Sequence, residues 1–184
     1  PGCMLLLMRV NPDYPALFQN GLIYFLLMQT LPDYSVIQVA GKTVLCVGGA
    51  ISIDREYRKM KMRLAQLKDR GVLNSYWEDE QARYEPEMLS DINFKGIRID
   101  TVITHTAPSF CMPVTKSGIE GWLAKDIALS DDLDKECTTM DALYAHLKSD
   151  KHPFSTWVYG HFPSSHTESI SVIQFLMLDI MELT

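Results

Sequence analysis

Short β-rich runs alternate along the chain with segments of helical period, and each run is closed by a turn signal or a polar residue. Met4–Val10 is apolar apart from Arg9 until Asn11-Pro12-Asp13 stops it, which suits a buried strand entering a loop. Tyr34–Val39 and Thr43–Val47 flank Ala40-Gly41-Lys42 and read as a hairpin, with Gly48-Gly49 ending its second strand. Asp100–Thr104 and Thr156–Tyr159 are further strands, and Ser169–Leu183 offers one or two more, with Asp179 interrupting the pattern. This order predicts an α/β protein in which helices cover a mixed sheet.

The helical segments are marked by caps and periodicity. Ser52 is a candidate cap for a helix running to Arg70, with Asp54 in its first turn and Gly71 as its stop. Ile53, Tyr57, Met60, Leu64 and Leu67 fall at spacings of four and three, which predicts one buried face. Arg58, Lys59, Lys61, Arg63, Lys68 and Arg70 are expected on the solvated face. A short helix is expected around Glu87–Ile92. A longer one is expected over Asp131–Lys148, capped by Ser130 and with a Leu133, Cys137, Met140, Leu147 stripe.

At 184 residues and 47% hydrophobic, the chain is long enough for one domain with a sizeable core. Its net charge of −6 argues against a nucleic-acid or membrane-surface binder, which carries a basic surplus. An acidic protein acts on phosphate esters when a bound cation supplies the positive charge. Met4–Met8 and Leu22–Met28 fall well short of the roughly 20 apolar residues that span a bilayer. Cys3, Cys46, Cys111 and Cys137 show no CxxC pairing, so they are expected to be reduced and mostly buried, as in a cytoplasmic protein.

Three strand ends are followed at once by a metal-ligating residue type. These are Asn11 after Met4–Val10, His105 after Asp100–Thr104 and His161 after Thr156–Gly160. Sites in layered α/β folds gather where strands run out into loops. One amide oxygen and two imidazoles suit manganese, iron or zinc, although a histidine in that place also serves as a hydrogen-bonded structural residue. Arg55 and Arg58, beyond the Gly48-Gly49 turn, are candidate phosphate clamps or ordinary helix-start charges. Trp77 reads as a packing anchor beside solvated acids, His166 as a surface residue in a polar loop, and His146 and His152 as structural or solvated.

Read together, "VLCVGGAISIDREYR" at 44–58, "YWEDE" at 76–80, "VITHTAPS" at 102–109, "WVYGHF" at 157–162 and "FLMLDIMEL" at 175–183 resemble one bacterial branch of the calcineurin-like metallophosphoesterases. The resemblance implies a four-layer αββα sandwich, with this chain as a single partial domain over 1–184. It also implies a two-metal centre in which a bridging hydroxide attacks the phosphorus of a phosphate mono- or diester. Carried over by motif, Asn11, His105 and His161 ligate one divalent metal. The family's N-terminal Asp-x-His and Gly-Asp motifs have no counterpart here. In "VNPDYP" at 10–15, Pro12 stands where the catalytic histidine belongs, and in "GHFP" at 160–163, Pro163 stands at the second histidine. Proline offers neither a ligand atom nor a transferable proton. The expectation is a truncated phosphoesterase that retains at most one metal site and has absent or severely reduced hydrolysis. The alternative is a non-catalytic module that binds a phosphorylated ligand or a protein. Open sheet edges would also suit self-association or a complementing chain.

Overall fold

The computed structural model describes residues 31–68, 76–111, 118–161 and 166–177. Asn11 and the Met4–Val10 run lie outside these. The described elements are β1 (Ser35–Val39), β2 (Lys42–Val47), α1 (Arg55–Leu67), α2 (Pro86–Phe94), β3 (Thr101–Thr104), a 3-10 turn (Ser109–Cys111), α3 (Glu120–Leu123), α4 (Leu129–Ser149), β4 (Thr156–Tyr159), β5 (His166–Ile170) and β6 (Ile173–Met177).

The six strands form one mixed sheet in the order β1-β2-β3-β4-β6-β5. Strands β2, β3, β4 and β6 run parallel, while β1 and β5 pair antiparallel at the two edges. The β1–β2 hairpin closes through Ala40 at φ 50° and Gly41 at φ 75°. Positive φ at both turn residues gives the twist that two-residue hairpins need. Because these central strands are parallel, the chain leaves β2, β3 and β4 at the same end of the sheet.

Alternate residues of the strands form the main core. Leu45, Val47, Val102, Trp157, Tyr159, Ile173 and Phe175 gather with Leu89 and Ile92 of α2 and Met140, Leu143 and Leu147 of α4. Trp157 anchors it. Its ring stacks on Phe175 at 5.9 Å, and its indole N–H donates to the Thr104 hydroxyl at 2.9 Å. On β2 the four consecutive residues Val44, Leu45, Cys46 and Val47 are all buried, so the strand is covered on both faces.

Three helix expectations are corrected. α1 begins after Asp54 rather than at a Ser52 cap, because the Ser52 hydroxyl is engaged by Glu80 at 2.9 Å. Its apolar stripe is not buried: Tyr57, Met60, Leu64 and Leu67 are 48%, 50%, 46% and 82% exposed. α4 begins at Leu129, before Ser130, and its deepest face is Leu129, Glu136, Met140, Leu143 and Leu147. Leu133 and Cys137 are only half-buried. The expected strand in Ser169–Leu183 appears as β6, while His166 lies in strand β5 rather than in a loop. Cys46 and Cys111 are buried free thiols and Cys137 is a half-buried one. No helix among the described residues is long and apolar enough to cross a membrane.

Replacing Trp157 tests the core. Trp157→Ala should cost about 3–5 kcal/mol, the range for emptying a large aromatic site. Trp157→Phe keeps the stack and loses the bond to Thr104, so it should cost clearly less. Urea unfolding of the two variants measures the difference.

Candidate functional site

At the edge where the parallel strands end, β3 runs into His105 and β4 into Gly160-His161. The two imidazole rings meet edge to face, with centroids 5.1 Å apart. His105 is set by its own turn: the Thr104 hydroxyl donates to the Thr106 carbonyl at 2.6 Å, arching across His105, while it accepts from Trp157. His161 stands at φ 72°, a left-handed conformation that a side chain rarely adopts. Such strain collects where surrounding structure fixes a functional residue. A side chain at Gly160 would place its first carbon 3.6 Å from His105 Nδ1, in ordinary contact with the ring.

Both rings are held toward the neutral form. Burial lowers the His105 pKa. Burial, followed by the neighbouring His105, takes His161 down to about 4. Arg58 adds to the depression, while a hydrogen bond to the Ile51 backbone opposes it. Neutral imidazole is the ligand form, since a metal needs the free lone pair. The pair therefore fits a borderline divalent cation as two nitrogen donors. Among the described residues no group of three or more His, Cys, Asp or Glu side chains forms a metal cage.

The two candidate arginines have different surroundings. Arg58 contributes charge beside His161 while donating to Asp54 at 2.7 Å. Arg55 is turned to the start of α4, where its guanidinium bridges Asp126 and Asp132. These carboxylates raise the Arg55 pKa, and the guanidinium holds both acids below the usual carboxylate range. Trp77 helps line a separate cleft of about 430 Å³ between Lys59, Met62 and Arg63 of α1 and Tyr76 and Asp79.

Glu136 is the residue that sequence reasoning missed. It is 5% exposed on α4 and accepts the Ile51 backbone N–H at 2.9 Å. It also accepts from the Ala82 backbone and the Thr106 side chain. One carboxylate thus ties the loop after β2 and the loop after β3 to the chain at Ala82. Ile51 and Thr106 are in turn the neighbours of His161 and His105. The detectable signal was an acid on an apolar stripe, in line with Leu129, Met140 and Leu143. The Gly48-Gly49 turn makes this junction tight. Gly49 stands at φ 96°, and a carbon on it would fall 2.7 Å from the Ala82 nitrogen.

No protein-family model matches the chain, and no curated protein matches it.

Burial pushes the Glu136 carboxyl from the usual 4.5 up to about 7, against the lowering effect of its three donors. Between those values the folded chain holds a proton that the unfolded chain has released. The Glu136 contribution to stability should therefore fall as pH rises from about 4.5 to 7, by on the order of 3 kcal/mol, while the lowered pKa of His161 contributes an opposite slope over much of that window. Glu136→Gln cannot ionise, so denaturant melts at pH 5 and pH 8 should show the variant gaining stability relative to wild type at the higher pH.

Proposed function

We propose that the chain is a partial calcineurin-like metallophosphoesterase that retains one divalent-cation site and has lost efficient hydrolysis. The observation that carries this reading is the meeting of His105 and His161 at the ends of adjacent parallel strands, both rings kept neutral. Supporting it, β2 is covered on both faces, as a strand in an αββα sandwich would be. Manganese, iron or zinc suits the donor set, with Asn11 as the third ligand by motif. The cytoplasmic assignment belongs to the same reading and rests on the unpaired cysteine spacing.

A cation bound there would polarise a phosphate oxygen and lower the pKa of a bound water. The chain's own residues supply the rest. His105 and His161 present lone pairs, and Arg58 adds positive charge that attracts the ester anion. Glu136 holds the loops that set both rings. No residue at 12 or 163 can move a proton to the leaving group, because both are proline. The substrate class is therefore a phosphate ester that is held more readily than cleaved. On this account a phospholigand-binding role differs from the hydrolase only in turnover.

Titration calorimetry with manganese chloride and zinc chloride tests the site. One cation should bind per chain, and His105→Ala or His161→Ala should each weaken it at least about tenfold. With manganese present, cleavage of bis(4-nitrophenyl) phosphate should stay at background. Turnover that disappears in His161→Ala would contradict the loss of hydrolysis. Binding unchanged in both alanine variants would remove the site itself.

A further inference from the structure

We propose that the outward stripe of α1 is a docking surface for an acidic amphipathic helix of a partner protein. Tyr57, Met60, Leu64 and Leu67 recur at three- and four-residue spacing and form one line about 15 Å long. All four are exposed, Leu67 by 82%. The opposite side of the helix, with Arg55, Arg58, Lys59, Met62 and Ala65, is the half-buried one. The ion pairs of Arg55 with Asp126 and Asp132 hold the helix in this orientation. A contiguous apolar line presented to solvent marks an interaction surface.

Charge selects the occupant. Lys61 and Lys68 border the stripe on one side and Arg63 on the other, all three exposed. None of the three makes an ion pair among the described residues. α1 carries five cations and one acid, within a chain of net charge −6. An acidic partner is thus attracted to this helix within a chain that is acidic as a whole, which steers its approach. A second copy would bring the same cations to the seam, and like charges facing each other oppose pairing. An anionic bilayer would meet a chain of net charge −6. The remaining fit is a helix with apolar residues at the same spacing and Glu or Asp on its flanks.

The test uses the full chain and a fluorescein-labelled peptide of three heptads, Leu at a and d and Glu at e and g, beside the same peptide with Gln for Glu. Fluorescence anisotropy should show binding of the Glu peptide at roughly micromolar Kd, and at least about tenfold weaker binding of the Gln peptide. Leu64→Ser/Leu67→Ser should abolish binding, and Lys61→Glu/Lys68→Glu should reverse the preference between peptides. Equal affinity for both peptides, or none for either, would overturn the proposal. So would dimerisation in light scattering, or sedimentation with phosphatidylserine vesicles, that Leu64→Ser/Leu67→Ser abolishes. The same double variant should melt with wild type, because an exposed stripe contributes little to folding. A drop of several degrees would show the stripe to be packed within the folded chain, and the proposal would fail.

Discussion

A single buried carboxylate organises the loops on which the rest of the site stands. Glu136 receives donors from the loop after β2, from Ala82 and from the loop after β3. Without it, Ile51 N–H and the Thr106 hydroxyl would be buried donors lacking an acceptor, each costing about 1–3 kcal/mol. The same geometry makes ionisation expensive, which is why its pKa moves upward despite three favourable bonds. Strand direction adds the second constraint: parallel pairing of β2, β3 and β4 brings their loops to one edge, within reach of α4. His105 and His161 meet as a consequence of both.

α1 shows the opposite balance. Turning a leucine or methionine side chain outward forfeits about 1.5–3 kcal/mol relative to full burial. The ion pairs of Arg55 are largely shielded from solvent, so desolvation offsets much of their attraction. The pairs fix the direction of the helix but do not balance the exposed stripe, so the orientation reads as one kept for use in association.

Much of the sheet was legible in the sequence. β-branched runs, closed by Gly41, Gly48 and Gly160 or by a polar residue, gave the β1–β2 hairpin, β3 and β4 close to their observed ends, because those signals are local. The His105 and His161 positions were legible for the same reason, each being the residue at or just beyond a strand end. What was not legible depended on tertiary partners. The periodicity of α1 identified a stripe, but only Asp126 and Asp132, more than 70 residues away, decide which side turns inward. The role of Glu136 depends on donors from three distant segments, of which its place on the α4 stripe gives no sign. Arg55 and Arg58, one turn apart, diverge because one bridges those acids while the other pairs with Asp54, its charge acting on His161.

The central claim is that His105 and His161 share one cation. Anomalous diffraction from crystals soaked in zinc chloride tests it most directly. A single strong peak is expected, with both imidazole nitrogens at about 2.0–2.1 Å. A peak elsewhere on the chain, with no density between the two rings, would contradict it.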